Sequence, residues 1–461
     1  MRSHPWPRFL LALLFSLTFP LLLSCESSVD EASVESQPPE GGEPPEQGDG
    51  FISYHRDIKP LLDTYCTRCH SSGEIRESVP LTTHEEVQAL APLIKQKVTA
   101  REMPPWLAGE GCRDYWFDER LSEEHIAMIA AWADDGAPAG DPNVLPNAPP
   151  DVVFSEMSRT DLTLQMDEPY IPKDFPDDYR CFVLDWPLEE PTFVTGFRAN
   201  PGNATIVHHM IAYLASPSAA TTYDTYDADE EGPGYTCFGS PGGAGLSGIR
   251  WLGGWAPGGK GSDFPENTGM RVEPGSKVIL QVHYNVLKDD PAPDLSGFSV
   301  KLDDTVAHEA LILPWADLDW IIDDTMIIPA GESQVTHGFS YDPTKVPFLG
   351  FMGKAITIHS ATLHMHELGS GGTISILRQD GSTECLLDIP RWDFGWQRGY
   401  GFKEPTILHP GDRLALECHW DNSPDNQVVV DGEKLMPQDV HWGEGTQDEM
   451  CLGVFYITPE Q

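Results

Sequence analysis

Two rhythms of apolar residues divide the chain. From Phe51 to about Pro138 they recur at helical spacing: Ile58, Leu61, Leu62 and Tyr65 fall on one face, and Ile126, Ile129, Ala130 and Ala133 on another. Ser122, followed by Glu123 and Glu124, suits a helix start, and Gly136 a stop. After residue 151 the rhythm changes to short apolar stretches, among them Thr205 to Leu214, Lys277 to Tyr284, Ala355 to His364 and Leu414 to Trp420, separated by Gly, Pro, Asp and Asn clusters. Many short strands at this spacing predict β-sandwiches or jelly rolls. The stretch from 151 to 461 exceeds one sandwich of roughly 100 to 150 residues, so two are expected, meeting near residues 303 to 320. The predicted architecture is a small all-α domain over 51–140, a Pro-rich connector reaching Pro150, and two all-β jelly-roll or sandwich domains over 151–310 and 311–461.

The first 50 residues follow neither rhythm. Arg2 and Arg8 accompany an apolar run from Phe9 to Leu23, and Leu22-Leu23-Ser24-Cys25 reads as a bacterial lipoprotein signal over 1–25, cleaved before a lipidated Cys25. The run is short for a spanning helix, the alternative being an uncleaved signal anchor. Residues 26–50 are acidic and rich in Pro, Gly, Ser and Gln, a composition that cannot bury enough surface to fold and predicts a disordered tether. The expected location is the bacterial cell envelope, lipid-anchored, on a periplasmic or extracellular face. A net charge of −43, from 29 basic and 72 acidic residues, argues against a nucleic-acid partner. It also disfavours a surface that hugs anionic lipid, which leaves the acyl chains on Cys25 as the membrane anchor. Nine cysteines in an exported chain are expected to be lipidated, cofactor-bound or paired.

Cys66-Thr67-Arg68-Cys69-His70 is a C-x-x-C-H element, in which two thiols form thioethers to a c-type haem and the histidine supplies the proximal iron ligand. A disulfide or zinc pair beside a chance histidine is the bland alternative. The favoured distal ligand is Met103, in the non-helical Met103-Pro104-Pro105 turn; Met128, which has core spacing, His84 and His125 compete with it. Here the chain resembles bacterial cytochrome c domains, over roughly residues 51 to 140.

Four further pieces carry metal-ligand chemistry: His208-His209-Met210, Gln281-Val282-His283-Tyr284, His364-Met365-His366 and Asp448-Glu449-Met450-Cys451. His364 and His366 stand two apart on a predicted strand, so both rings project from one face. His208 and His209 are adjacent and would point to opposite faces unless the strand kinks or bulges. Together the pieces supply an all-imidazole set and a His-His-Met set, a mixture that suits redox copper rather than structural zinc.

In order and wording these pieces, with Pro410-Gly411-Asp412-Arg413-Leu414, resemble the copper type II, ascorbate-dependent monooxygenases, the family of the peptidylglycine α-hydroxylating and dopamine β-monooxygenases, over roughly residues 160 to 458. The resemblance implies that His208, His209 and His283 hold an electron-transfer copper in the first sandwich. It implies that His364, His366 and Met450 hold the oxygen-activating copper in the second, where the soft thioether favours Cu(I). Gln281 looks like a group that orders water between the sites, and Tyr179 either packs near the first copper or fills core. Implied disulfides are Cys181 with Cys237 and Cys418 with Cys451. Cys112 and Cys385 have no family partner and are either free or bonded across the module boundary.

One departure from the family pattern bears on substrate. The peptide-amidating member grips a carboxylate with an arginine two before its His-x-His and a tyrosine four after its ligand methionine; here those positions are Thr362 and Val454. A charged carboxylate would lose its bidentate partner, so a neutral or apolar small molecule is the expected substrate. The resemblance implies hydroxylation of a C–H bond with O2 and ascorbate as reductant, while the fused haem suggests electrons relayed from a periplasmic donor. A non-catalytic copper and haem lipoprotein, serving electron transfer or copper handling, is the rival from another class.

Overall fold

The computed structural model describes residues 51–460 apart from 73–75, 243–247, 257–258, 287–290 and 431–432. Cys25, the signal and the tether lie outside the described residues. Three α-helices follow in the first 90 described positions: α1 (Lys59–Tyr65), entered through a turn of π-helix at Tyr54–Ile58, α2 (His84–Thr99) and α3 (Glu123–Asp134). Ile58, Leu61, Leu62 and Tyr65 are all buried, as their spacing predicts. Ser122 caps α3 by accepting the His125 N–H, and Gly136 adopts φ +83° just beyond it. Helix α2 starts on a capping box, Thr83 with Glu86, a start signal that the apolar pattern alone does not supply. Trp132, fully buried, joins Tyr54, Val87 and Ile129 in one core. At about 1.5–3 kcal/mol for each large apolar side chain removed from water, this cluster holds three short helices that would not be stable alone.

The β region is organised around a nine-stranded sheet. Its members are β1 (Asp177–Asp185), β2 (Val207–Ala215), β3 (Tyr235–Thr236), β4 (Ile249–Trp255), β5 (Lys277–Asn285), β6 (Leu311–Trp315), β7 (Ile356–His364), β8 (Tyr400–Leu408) and β9 (Leu452–Pro459). Their spatial order is β8-β7-β9-β6-β4-β2-β5-β1-β3. A second layer, containing strands 162–165, 192–200, 268–272 and 297–303, packs on the β1–β5 half over Val194, Met210, Leu280 and Phe298. A four-stranded layer, 335–341, 369–377, 383–389 and 413–420, packs on the β7–β9 half over Ile358, Ile374, Leu416 and Phe455. The two expected sandwiches are thus present, but they share one sheet. Strand β6, at the expected junction, pairs with β9 along its whole length and reaches β4 only at Ile312 opposite Trp251.

The segment between α2 and α3 leaves the helices and enters the second sandwich. Trp106, Leu107, Ala108 and Tyr115 belong to the same core as Ile358 and Phe455. The Tyr115 hydroxyl donates to the Leu386 carbonyl at 2.9 Å, the Gly109 N–H to the Asp388 carbonyl at 2.8 Å, and Trp106 meets Tyr400 edge-on at 5.1 Å. Cys112 is disulfide-bonded to Cys385 across 273 residues, which decides between the two alternatives left open for that pair. The helical module is therefore docked on the C-terminal half of the chain.

Candidate metal centre

His208 and His209 reach one site because β2 carries a bulge at that place. Val207 stands opposite Tyr284 and His209 opposite His283, so two residues of β2 face one step of β5 and both imidazoles turn to the same side. Nδ1 of His209 lies 3.3 Å from Nδ1 of His208 and 3.3 Å from Nδ1 of His283. On the far side of the His283 ring, Nε2 lies 2.8 Å from a carboxylate oxygen of Asp177, which also accepts from Asn285 at 3.0 Å and Thr446 at 2.7 Å. That carboxylate keeps the proton on Nε2 and turns the Nδ1 lone pair inward. One ring nitrogen from each of His208, His209 and His283 lies within 4.8 Å of the others, a donor set that fits a metal taking imidazole ligands.

Tyr179 stands across the ladder from His283, and their rings stack at 4.0 Å and 9°. It therefore packs against this site. Gln281, three per cent exposed, spends its amide nitrogen on the Cys237 carbonyl at 2.8 Å and accepts from the Tyr213 hydroxyl at 3.4 Å. Those bonds brace the loop held by the Cys181–Cys237 disulfide.

The second cluster is assembled at strand ends. His364 is the last residue of β7 and His366 lies just beyond, with ring centroids 5.1 Å apart. Nδ1 of His364 is bonded to the Gln397 side-chain oxygen, and Nδ1 of His366 lies 2.9 Å from the Asp448 carbonyl. Both rings therefore keep Nε2 for a ligand, the opposite choice from the first cluster. Met450, four per cent exposed, precedes β9 and sits next to Cys451, which is bonded to Cys418. Buried Glu449 organises the corner: its carboxylate accepts the backbone N–H groups of His366 at 2.9 Å and Leu368 at 2.6 Å, and the Trp420 indole N–H at 2.8 Å. Its anchoring bonds offset only part of the cost of burial, which pushes its carboxyl up to about 7.

Burial favours the neutral form of His208, His209, His364 and His366. His208 is pushed down to about 4 and His366 to about 3 by loss of water, with the neighbouring histidines adding to the effect. Neutral rings are what metal ligation requires. A cavity of about 1840 Å3 is lined by His209 from the first cluster and by His364, His366 and Met450 from the second. Thr362 and Val454, directly paired across β7 and β9, line it too and form one neutral patch. Asp177, Gln397, Trp392 and Phe394 escaped the sequence reading, since none lies in a ligand motif and only the fold brings them to the histidines.

The same cavity reaches Tyr65, Arg68 and Cys69 of the helical module. The C-x-x-C-H element forms a tight turn after α1, with the His70 N–H bonded to the Cys66 carbonyl at 2.9 Å. Nδ1 of His70 lies 2.8 Å from the Val79 carbonyl, which leaves Nε2 for an axial ligand bond. Cys66 and Cys69 take part in no disulfide, unlike the other six described cysteines. Among the distal candidates, His84 is engaged with the Ala137 carbonyl at 2.9 Å and Met128 packs on the helical core. Met103 is 37 % exposed, and the two prolines after it line the cavity. His125 carries a buried Nδ1 with no hydrogen-bond partner among the described residues.

Residues 162–291 match the copper type II ascorbate-dependent monooxygenase N-terminal domain, and residues 317–458 match the C-terminal domain of the same enzymes. The chain belongs to this family, whose cofactor is copper. It is 24% identical over 328 residues to DBH-like monooxygenase protein 2 of Mus musculus, covering 68% of this chain and 47% of that protein. It is 27% identical over 303 residues to peptidyl-glycine alpha-amidating monooxygenase of Mus musculus, covering 65% and 27%. It is 23% identical over 326 residues to DBH-like monooxygenase protein 1 of Gallus gallus, covering 66% and 48%. The chain thus spans about half the length of these relatives or less.

Proposed function

We propose that this protein hydroxylates a C–H bond of a small neutral or apolar molecule: substrate, O2, two electrons and two protons give the alcohol and water. The observation that carries the proposal is the shared cavity, onto which one residue of the all-histidine cluster and all three of the His-His-Met cluster open. In this reading His208, His209 and His283 hold one copper through Nδ1, and His364 and His366 through Nε2, with Met450, hold the other. Copper supplies one-electron redox chemistry with O2 at these sites, and the thioether of Met450 favours its reduced state.

The chain's own residues do the rest. Asp177, Gln397 and the Asp448 carbonyl fix the ring orientations. Thr362 and Val454 offer a substrate no charged partner. Trp396 lines the cavity with a buried indole N–H that has no acceptor among the described residues, which suits a substrate carrying a neutral oxygen or nitrogen acceptor. Glu444 also lines the cavity; burial pushes its carboxyl up to about 7, so it holds a proton near neutral pH at the place where protons are consumed.

Cys66, Cys69 and His70 hold a c-type haem in this proposal, with Met103 as distal ligand and a periplasmic donor or ascorbate as the electron source. An acyl anchor at Cys25 would place the protein on the bacterial cell envelope. The test is copper titration of the purified chain with metal analysis and haem spectra, followed by O2 uptake against neutral substrates with and without ascorbate. Two coppers and one haem per chain with substrate-dependent uptake are expected. Copper loading without uptake against any donor would support the electron-transfer or copper-handling alternative. Loss of a methionine-ligated haem spectrum in Met103→Ala is expected; its persistence would move the ligand to Met128, and a bis-histidine spectrum in the native chain would move it to His125 or His84.

A further inference from the structure

The segment from Trp392 to Arg398 lies in none of the ligand motifs, yet it touches both clusters and the helical module. The Trp392 indole donates to the His366 carbonyl at 3.0 Å. Phe394 stacks on His208 at 5.0 Å and 27°, and presents its edge to His366 at 5.9 Å and 69°. One phenyl ring therefore separates a ligand of the first cluster from a ligand of the second. Gln397 bonds to Nδ1 of His364 and donates to the Phe394 carbonyl at 3.0 Å, so the ring and the second cluster are tied to the same turn. Arg398 closes the far end, pairing with Glu119 at 3.2 Å while Glu119 faces Arg68 of the C-x-x-C-H element at 3.7 Å.

The need for such a tie follows from the fold. In the shared sheet the two halves meet through β6 and β4 at the single step of Ile312 and Trp251, so the register of the two clusters rests on loop and side-chain contacts, among them Thr446 on Asp177 and the Tyr179 hydroxyl on the Glu444 carbonyl. An aromatic ring wedged between the clusters supplies buried, directional contact at the point that matters. We propose that Trp392–Arg398 is a positioning strap: Phe394 fixes the two metal sites one ring apart, and the Arg398–Glu119–Arg68 chain keys that separation to the docked helical module. Phe394 and Arg398 act through other residues and are positioning residues.

The proposal rests on copper occupying both clusters, and its test separates the two ideas. Dipolar electron paramagnetic resonance on the full chain loaded with Cu(II) reads the distance between the ions. A short, narrow distribution is expected for the native chain, and a longer, broader one for Phe394→Ala. Phe394→Tyr should restore the native distribution, and Glu119→Gln should broaden it less than Phe394→Ala does. An unchanged distribution in Phe394→Ala would overturn the strap. Absence of any copper pair in the native chain would instead sink the copper assignment, and the strap is then read on the metal-free chain. There, amide exchange of peptides covering 205–212 and 364–368 should rise together in Phe394→Ala, by about threefold or more. Equal protection in native and Phe394→Ala chains would refute the strap independently of copper. If Phe394→Ala does not fold, Phe394→Leu carries the same two measurements.

Discussion

The two ligand clusters of this protein are held by different kinds of backbone. His208, His209 and His283 sit within neighbouring strands β2 and β5, and β1 adds Tyr179 and Asp177 from the next strand along. His364, His366 and Met450 sit at the end of β7, beyond it, and just before β9, and side chains from the 392–397 loop and from Glu449 hold them. A cluster built on ladder hydrogen bonds is positioned more rigidly than one carried on loop ends. A cluster built on loop ends can admit O2 and substrate, and it depends on outer contacts for its order. The difference matches the division of labour that the family resemblance implies, with electron transfer at the first cluster and oxygen chemistry at the second.

Removing a ligand should break the comparison most severely. His366→Ala is expected to lower copper content from two to one per chain and to cut substrate-dependent O2 uptake by about a hundredfold or more. Metal analysis with an oxygen electrode checks it, and retention of both ions would undo the assignment of the second cluster. The outer contacts come next. Asp177→Asn should weaken copper at the first cluster by roughly 10- to 100-fold and leave the second unchanged, with Gln397→Leu giving the mirror image. Competitive copper titration of the two variants would expose any crossover.

The disulfides sharpen the contrast further. Replacing Cys418 and Cys451 with serine frees the segment next to Met450, and about tenfold weaker copper binding is expected at the second cluster. Replacing Cys181 and Cys237 should cost stability, about 2–4 kcal/mol in urea unfolding, while the strand-held first cluster keeps its copper affinity. Equal losses of copper in both would mean that strands and loops hold their ligands alike.

The smallest effect concerns the Glu444 carboxyl, which burial raises from 4.5 to about 7. The folded chain then binds a proton that the unfolded chain has released, so stability falls as pH rises from about 4.5 to 7. The slope is roughly 1.4 kcal/mol per pH unit for each such group. Glu449 contributes in the same direction, so Glu444→Gln should reduce the slope of the copper-free chain without abolishing it. Melting temperatures between pH 5 and 8 measure this, and a slope unchanged by Glu444→Gln would show that the carboxyl is ionised in the fold.

Much of this protein was legible along the chain. Spacing alone placed the buried face of α1 and the strands that carry the histidines, because amphipathic periodicity is a local property of sequence. The adjacent pair His208-His209 demanded a bulge, and the register of β2 against β5 contains one. The ligand motifs and two disulfides could be read through their likeness to a family. What lay beyond reach depended on contacts between residues far apart in number. The pairing of Cys112 with Cys385, the burial of Trp106 and Tyr115 in the second sandwich, and the placing of Phe394 between His208 and His366 leave no periodic trace. The sequence by itself determined the division into helical and strand regions, the ligand residue types and the candidate chemistry, all of which follow from residue type and short-range spacing. Only the tertiary structure decided which nitrogen of each imidazole faces inward and that both clusters share one cavity with the helical module, because those properties belong to packing across hundreds of residues.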